Sequence, residues 1–443
     1  MILEEALALL EEAPLCDHCL GRQFALLGHG FSNLERGRSI KTLLIATGHA
    51  ILKEKNHEGA TVLRTIARNG FSDVARGTLI SQGFQVEKEA DECYLCQGTF
   101  KKLGELVEQC VAKLLEYEYN SYLVGVRVPS NIENREDELR ANHHIAWGES
   151  IRNEFSREIG KRIQITTGKN VELKRPDILV TVNPFREDVS LGVNAVFIAG
   201  RYRKLVRGIP QSRWLCSNCR GRGCEECGGT GKLYQESIEE LMGNTMMKAF
   251  EGINFTLHAA GREDIDVRTF GNGRPFVMDI ERPKKRLVDL SKLTTVINNA
   301  ADGKIEVKDL RNSSREEIRR IKGASQTSKT YQAIVKFDEE VTDTQLRRLE
   351  TELEGHTVEQ RTPTRVAHRR ANLVRKKYIY ELKTRRMQPN FAELVLRCQG
   401  GLYIKELISG DGGRTKPSVC EILGVPAKCL ELDVIDVEMV SIS

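Results

Sequence analysis

The sequence predicts a multidomain protein of the α+β class. The chain has 443 residues, which is enough for roughly three domains with separate hydrophobic cores. Strand-like and helical patterns alternate along residues 101–213, and further strand-like runs lie within residues 234–443. Cysteine pairs with Cys-x-x-Cys spacing lie before and after the first of these segments. The expected segments are residues 1–100, 101–213, 214–233 and 234–443.

The distribution of charge favours a nucleic-acid partner more strongly than the net charge does. The chain carries 67 basic and 62 acidic residues, and a net charge of +5 is too small to indicate such a partner by itself. Residues 361–390, however, hold ten lysines and arginines against one acidic residue, Glu381. Such a concentration of positive potential is the expected footprint of a phosphate backbone.

The sequence predicts a soluble, cytoplasmic protein with no membrane partner. It has no run of eighteen apolar residues, and its N-terminus lacks the basic region and the apolar stretch of a signal peptide. In a reducing compartment the 12 cysteines are not expected to form disulfides. Eight of them fall in Cys-x-x-Cys pairs, a spacing that indicates metal binding.

The first segment opens with an amphipathic helix at residues 3–12 and carries two cysteine pairs. The pairs are Cys16 with Cys19 and Cys93 with Cys96, and a glycine follows each within two residues. A tight turn of this kind presents two thiolates to one ion, so the two pairs together predict one tetrahedral zinc site. Because the pairs are far apart in sequence, this pairing follows from the number of thiolates and not from local spacing. Reduced structural cysteines or a redox pair remain open alternatives.

The second segment predicts a compact α/β domain. Residues 121–128 and 177–182 have strand patterns, and residues 150–167 have a helical pattern between them. The stretch 200–210 is basic and contains a tyrosine that is able to stack on a nucleobase, which suits RNA. A solvated linker accounts for this composition equally well.

The third segment contains a compact cluster of four cysteines. Two pairs separated by four residues can wrap one ion without help from distant parts of the chain. Because all four candidates are thiolates, the pattern predicts a structural zinc; four free thiols are the alternative. Zinc modules of DnaJ-type chaperones have a similar pattern, but they carry several repeats and this chain has one. The predicted ligands are Cys216, Cys219, Cys224 and Cys227.

The largest segment contains a charged stretch that we interpret as an active-site loop. Residues 261–268 and the glycine-rich residues 271–276 gather three carboxylates and three arginines. Residues 256–260 and 276–280 on either side carry strand-like apolar residues, so the loop should lie between two elements of a sheet. Taken alone, the stretch is more typical of a solvated, salt-bridged hairpin loop.

The rest of the largest segment predicts a mixed α/β domain. Ser237 and Glu240 form a capping box that opens a helix reaching about residue 250. Residues 329–337 have a clean strand pattern, and residues 342–354 have a helical one. The alternating residues 430–443 predict a last strand.

Three motifs carry a resemblance to known RNA-modifying enzymes. Residues 261–264, Gly-Arg-Glu-Asp, are similar to the Gly-Arg-Thr-Asp motif of tRNA pseudouridine synthases of the TruA type. Residues 403–405, Tyr-Ile-Lys, look like the Tyr-Ile-Arg/Lys motif whose cation pairs with the catalytic aspartate of that family. Residues 174–191 resemble the strand region of a THUMP domain, an RNA-binding module. The sequence departs from the TruA pattern at Glu263 and Arg268, where that family has threonine and histidine.

Nearly the whole chain resembles the archaeal and eukaryotic family of tRNA pseudouridine synthases that modify the TΨC arm. The resemblance implies zinc-binding and THUMP-like N-terminal domains and a mixed α/β catalytic domain built on a central antiparallel sheet. It implies tRNA as the partner, without an obligatory protein partner, and conversion of the uridines at tRNA positions 54 and 55. The compact cysteine cluster favours an archaeal member.

The resemblance also implies a role for particular residues. Asp264 would be the catalytic group, with Lys405 as its cation, and Tyr331 would lie against the target base. No organic cofactor is expected, and two structural zinc ions are. The residues expected to contact the substrate are Tyr331, Tyr403, Lys405, Arg262 and Arg268. Those expected to contact RNA phosphates are Arg361, Arg365, Arg369 and Arg370.

Two other classes of function remain to be weighed against the enzyme. The first is a non-catalytic, zinc-containing tRNA-binding protein that uses the THUMP-like domain and the basic residues 361–390. The second is a zinc-dependent chaperone or scaffold, which would have no need of those basic residues. The feature that separates the enzyme from the binding protein is whether Asp264 and Lys405 meet in one cleft.

Overall fold

The computed structural model describes residues 2–54, 57–323 and 327–438, with every side chain among them except that of Arg369. The chain divides into two compact units, Met1–Asn194 and Ala195–Ser443. Each unit has its own β-sheet and its own hydrophobic core. Over the described ranges, no helix combines the length and the apolar character that crossing a bilayer requires.

The first unit is helical over its first hundred residues. The predicted N-terminal helix is confirmed, and it buries Ala6, Leu9 and Leu10 on one face. Ser32 and Glu35 exchange hydrogen bonds in a capping box, which satisfies amide groups at the start of the long third helix. The helices are α1 (Ile2–Glu12), α2 (Asp17–Arg22), α3 (Asn33–Lys53), α4 (Glu58–Arg68), α5 (Asp73–Ser81), α6 (Leu103–Leu114), α7 (Ser130–Asn142) and α8 (Ile151–Thr167).

A four-stranded sheet completes the first unit. Its strands are β1 (Ser121–Val126), β2 (Asn170–Val171), β3 (Ile178–Asn183) and β4 (Asp188–Val193), in the order β2-β1-β3-β4. β1 runs parallel to β2 and β3, while β3 and β4 are antiparallel. Burial alternates along β1 because successive side chains point to opposite faces, and α8 packs against this strand. The predicted strand, helix and strand of this region are confirmed.

The second unit mixes strands and helices along the chain. Its strands are β5 (Val196–Lys204), β6 (Asn254–Ala259), β7 (Arg268–Glu281), β8 (Ile305–Asn312), β9 (Ser328–Phe337), β10 (Thr357–Arg361), β11 (Val374–Gln388), β12 (Phe391–Gln399), β13 (Thr415–Lys416) and β14 (Ala427–Glu438). Its helices are α9 (Ile238–Phe250), α10 (Leu290–Ala300), α11 (Arg315–Gly323), α12 (Asp343–Leu353), α13 (Ile404–Ser409) and α14 (Val419–Leu423).

The strands of the second unit form one sheet in the order β13-β10-β11-β12-β9-β14-β7-β5-β8, and β6 pairs with β7. Among the described residues, β7 and β14 make the only parallel pairing of this sheet. Helix α12 packs against β11 and α13 against β14, whereas α9 packs against β6 and α10 against β8. The expected mixed α/β domain on a central antiparallel sheet is therefore confirmed.

Three parts of the second unit differ from the sequence expectation. Residues 195–213 were expected to belong with the preceding segment, but β5 pairs with β7 and β8 inside the second sheet. The glycine-rich residues 271–273 were expected to close the charged loop, yet they lie within β7. The expected last strand ends at Glu438 among the described residues, and residues 439–443 lie outside them.

Glycine is required within β7 because another strand comes very close. Gly271 has φ +56°, and a Cβ atom there would lie 1.9 Å from the carbonyl oxygen of Ile435 on β14. Gly271, which the sequence suggested as a loop residue, therefore allows β7 and β14 to approach each other closely.

Candidate active site

The charged loop connects two paired strands, as the sequence predicts. Residues 260–267 join β6 to β7, which form an antiparallel hairpin. The amide of Val267 donates to the carbonyl oxygen of Asp264 at 3.0 Å, which closes a turn inside the loop. The amide of Gly208 donates to the carbonyl oxygen of Ile265 at 2.9 Å. The loop is thus tied both to itself and to the chain that follows β5.

A buried ion pair lies beneath this loop. The carboxylate of Glu263 is fully buried and lies 2.9 Å from Nε of Arg274, whose side chain is 1 % exposed. The hydroxyl of Tyr202 donates to both carboxylate oxygens, at 2.9 and 3.1 Å. Gln211 donates to the Tyr202 hydroxyl at 2.8 Å. A buried charge is tolerated only when it is paired and hydrogen-bonded, and Glu263 meets both conditions.

Two further cations hold the backbone of the loop. Lys204 is buried and donates to the carbonyl oxygen of Ile265 at 2.7 Å, and its burial lowers the pKa of its amino group to about 8. Arg207 donates to the carbonyl oxygen of Asp266 at 2.6 Å. Because these donors come from β5 and the segment after it, the path of the loop depends on the strand next to it in the sheet.

Asp264 lies within reach of two cations. Its Oδ2 atom is 3.1 Å from Nη1 of Arg365 and 3.7 Å from Nζ of Lys405, and its side chain is 37 % exposed. Glu406 accepts from Nε of Arg365 at 2.6 Å, and the guanidinium of Arg365 lies 5.8 Å from the ring centre of Tyr403. Asp264 and Lys405 therefore meet in one cleft, which is the feature that distinguishes an enzyme from a binding protein.

The neighbouring acid, Asp266, has a different environment. Nζ of Lys405 donates to its two oxygens at 2.7 and 2.9 Å, so Lys405 is closer to Asp266 than to Asp264. Burial acts to raise the pKa of Asp266, but the hydrogen bonds and charge of Lys405 outweigh it and lower that pKa. The nearest cation to Asp264 is instead Arg365, which the sequence analysis assigned to RNA phosphates.

These groups line one cavity of about 1260 Å³. Such a volume exceeds that of ordinary small-molecule pockets, which span about 300–1,000 Å³, and it can admit more than a single nucleobase. Tyr331, on the central strand β9, lines the same cavity, and burial raises the pKa of its phenol. The described residues of the wall include Asp264, Lys329, Tyr331, Arg365, Tyr403 and Lys405.

Lys329 is a residue of the cavity wall that sequence reasoning missed. It is 8 % exposed, and burial together with the charge of Arg274 lowers the pKa of its amino group to about 7. A Cβ atom at Gly261, which has φ +87°, would lie 2.6 Å from Nζ of Lys329 and 3.1 Å from Nη1 of Arg274. Glycine is thus needed where the loop passes over these two cations.

The other arginines singled out from the sequence lie in different places. Arg262 and Arg370 line the cavity together with Asp264. Arg268 pairs with Asp433 at 2.7 Å and is not among the described residues of the cavity wall. Arg361 donates to the Asn372 side chain at 2.9 Å and lies on β10, away from the wall. The backbone of Arg369 belongs to the turn Thr364–Arg369, and its side chain lies outside the described part of the structure.

The eight predicted metal ligands form the two expected groups of four. Within each group the sulfur atoms lie within 4.8 Å of one another. In the compact group, Sγ of Cys216 is 3.8 Å from Sγ of Cys224, and Sγ of Cys219 is 3.8 Å from Sγ of Cys227. Four thiolates at about 2.3 Å from one zinc ion in a tetrahedron are about 3.8 Å apart. Both groups could therefore hold a metal ion.

The N-terminal group has the same geometry in spite of its wide spacing. Sγ of Cys16 lies 3.6 Å from Sγ of Cys96, although a large part of the first unit separates them in sequence. Arg22 donates to Sγ of Cys19 at 3.5 Å, which places a positive charge beside the thiol group. His18 instead hydrogen-bonds to Glu154 at 2.7 Å and stays outside the four-sulfur group.

Comparison with known proteins identifies both units of the chain. Residues 197–438 match the family described as "Pus10, C-terminal", and residues 106–183 match "Pus10 THUMP domain, archaeal". A tRNA pseudouridine synthase Pus10 from Methanothrix thermoacetophila is 40 % identical over 438 residues, covering 98 % of this chain and 94 % of that protein. Another, from Methanocaldococcus jannaschii, is 41 % identical over 437 residues, covering 97 % and 93 %.

These matches and the fold define a pseudouridine synthase, an enzyme of the isomerase class. More particularly, the chain belongs to the Pus10 family, and its residues 106–183 match the archaeal THUMP domain of that family. The expected THUMP domain and catalytic domain are confirmed by the two family matches.

The buried pair beneath the loop leads to a prediction about stability. Glu263→Gln keeps the size of the side chain but leaves Arg274 buried without its anion, and breaking a buried pair in this way costs about 3–5 kcal/mol. The measurement is the free energy of unfolding from urea titration. Glu306→Gln is the matched control, because it breaks an exposed pair with Arg203 on the same sheet and should cost less than about 1 kcal/mol. Equal losses in the two variants would contradict the role given to Glu263.

Proposed function

We propose that this protein converts uridine to pseudouridine in the TΨC arm of tRNA, at positions 54 and 55, with Asp264 as the catalytic group. The substrate is supported by the relatives, each of which bears the name tRNA pseudouridine synthase. The basic residues Arg370, Arg375 and Lys377 on the cavity wall provide positive charge where phosphates would pass.

The assignment of Asp264 rests on one observation: the three carboxylates of the loop differ in their burial and in their cation partners. Glu263 is buried and paired with Arg274, and Asp266 accepts two hydrogen bonds from Lys405. Asp264 is partly exposed at the cavity and has its cations at 3.1 and 3.7 Å. Both cations lie nearest to Oδ2 of Asp264, whereas Lys405 hydrogen-bonds to both oxygens of Asp266, whose side chain is more exposed, at 64 %. Asp264 is thus the cavity carboxylate that is held by two cations, which favours it as the reactive one.

The chemistry needs little beyond such a carboxylate. The reaction breaks the bond between N1 of uracil and C1′ of ribose, joins C5 of the same uracil to C1′, removes the proton from C5 and adds one proton at N1. Atoms and electrons balance within the substrate, so neither an oxidant nor a reductant takes part. Asp264 would act on the ribose, either by attacking C1′ or by removing the proton at C2′. Arg365 and Lys405 would hold it in place.

The target uridine has to leave its base stack to enter the cavity. Extrusion of a nucleotide costs roughly a few kcal/mol, which stacking inside the site can offset. Tyr331 supplies an aromatic ring on the cavity wall, and burial raises the pKa of its phenol. Tyr403, which contacts Arg365, is a second aromatic residue of the same wall.

The alternative is a zinc-containing protein that binds tRNA without modifying it. It would need the basic surface and the THUMP domain but not a carboxylate between two cations. The arrangement of Asp264, Arg365 and Lys405 in one cavity therefore favours the enzyme.

Replacement of the proposed catalyst separates the two functions. Asp264→Asn should lower the turnover of uridine in unmodified tRNA by roughly 10²–10⁴-fold or more, because the amide is neither a nucleophile nor a base. Its affinity for tRNA should stay the same or rise, since a negative charge that opposes phosphates is removed. Pseudouridine formation and tRNA binding are measured on the same preparation. The exposed Asp338→Asn serves as the control, and turnover retained by Asp264→Asn would overturn the assignment.

We also propose that the two cysteine groups hold structural zinc ions. When bound, each ion would cross-link two Cys-x-x-Cys turns and leave no coordination position for a substrate. The donor set supports this assignment, because four thiolates at near-tetrahedral separations suit zinc.

Elemental analysis of the purified protein checks the metal content. We expect two zinc ions per chain, and one in each of Cys96→Ser and Cys227→Ser, since each variant removes one ligand of a different group. Cys398→Ser is the control, because this buried cysteine of β12 belongs to neither group and its replacement should leave two ions. A wild-type content of one ion or none would show that at least one group is not a metal site.

A further inference from the structure

The compact cysteine group lies within residues 214–233, a segment that we call the neck and that begins at Trp214. The amide of Leu233 donates to the carbonyl oxygen of Trp214 at 2.9 Å, and Leu215 forms a β-bridge with Lys232. The amide of Cys216 donates to the carbonyl oxygen of Gly231 at 2.8 Å. The two ends of residues 214–233 are thus paired with each other, and the four cysteines lie at the far end of this pairing.

Trp214 connects the neck to the active-site loop. Its ring packs edge-on against Tyr234, with centroids 5.6 Å apart and an angle of 79° between the planes. The guanidinium carbon of Arg262 lies 5.2 Å from the ring centre of Trp214, which is a cation–π contact. Arg262 is two residues before Asp264, and both Trp214 and Arg262 line the cavity that contains Asp264.

The guanidinium of Arg262 is otherwise unengaged. Its residue is exposed, and within residues 2–54, 57–323 and 327–438 no acceptor lies within hydrogen-bond distance of it. A planar guanidinium carries five N–H donors, and these are available to a phosphate or to a base edge. The contrast with Arg268, which pairs with Asp433, shows that the two arginines of the loop differ in what they can offer a ligand.

We propose that Trp214 and Arg262 form a clamp for a nucleotide that flanks the target uridine, and that the four-cysteine segment serves to hold Trp214 in this clamp. The proposal rests on the proposed function, since it takes RNA to be the substrate. Unpaired bases stack on aromatic side chains and on arginine planes, and the donors of Arg262 suit the adjoining phosphate. Because the Trp214 ring and the Arg262 guanidinium already lie against each other in the free protein, binding should cost little conformational entropy in these two side chains.

In this proposal the cysteine segment has a role in positioning Trp214, which its sequence alone does not indicate. Without a cross-link, the pairing between the two ends of residues 214–233 would alone hold this segment, whereas four thiolates on one ion would also fix its far end and so strengthen the pairing that positions Trp214. Loss of the metal group should therefore disturb Trp214 before it disturbs the sheet, whose core lies elsewhere in the unit.

The two tryptophans of the chain make the clamp directly observable. Trp147→Phe removes the other tryptophan, which belongs to the first unit and is 47 % exposed, so the remaining fluorescence comes from Trp214. Titration of this variant with unmodified tRNA should quench and shift the Trp214 emission. In the same background, Cys227→Ser should shift the emission of the free protein to the red, because the neck opens and water reaches the ring.

Substitutions in the clamp should separate its two components. Trp214→Ala should lower kcat/KM for tRNA roughly tenfold or more, and Trp214→Phe should retain most of it, because a phenyl ring still stacks. Arg262→Lys keeps the charge but loses the planar surface, and a loss of several-fold is expected. If Trp214→Ala fails to fold, Trp214→Phe still tests the proposal by kinetics, and Arg262→Lys tests it both by kinetics and by the emission of Trp214.

Two results would overturn the clamp. The first is an unchanged Trp214 emission under conditions where tRNA binding is saturated. The second is a wild-type kcat/KM in folded Trp214→Ala. The two proposals can fail separately. If the wild-type protein forms no pseudouridine but tRNA still quenches Trp214 in the Trp147→Phe variant, the proposed function is wrong, and the contact of Trp214 with RNA stands without a target uridine. If pseudouridine forms normally in folded Trp214→Ala, the proposed function stands and the clamp is wrong.

Discussion

The ion pair between Glu263 and Arg274 is the interaction on which the candidate active site depends. A fully buried carboxylate one residue before Asp264 cannot move without uncovering a charge, and Tyr202 on β5 adds hydrogen bonds that fix its direction. Lys204 and Arg207 then hold the carbonyl groups of the loop. The loop is therefore fixed on its buried side by side chains of β5 and β7, and these contacts hold the backbone next to Asp264 in place.

The three carboxylates of the loop have different partners. Glu263 serves the interior and Asp266 serves Lys405, which leaves Asp264 between Arg365 and Lys405 at the cavity. One loop thus contains a buried carboxylate, a carboxylate bonded to Lys405 and the proposed catalytic carboxylate within four residues. The proposed base flipping fits this arrangement, because the cavity that Asp264 lines also has aromatic and basic side chains in its wall.

The elements that follow from periodicity could be predicted from the sequence, whereas partners distant in sequence could not. The apolar flanks of residues 261–268 predicted the hairpin, the cysteine spacing predicted the compact four-sulfur group, and the number of Cys-x-x-Cys pairs predicted the N-terminal one. Charged residues such as Glu263 and Arg274 resemble surface residues until the fold brings them together. The pairing of Arg365 with Asp264 was missed for the same reason, since a basic run suggests phosphates first. The resemblance, not the spacing, selected Asp264 over Asp266.

The proposed activity and its specificity are tested most directly by a map of pseudouridine in unmodified tRNA after incubation with the purified protein. We expect pseudouridine at positions 54 and 55, formed without an added cofactor. Conversion confined to uridines outside the TΨC arm would contradict the proposed specificity. The absence of pseudouridine at every position, with tRNA bound to the protein, would contradict the account as a whole.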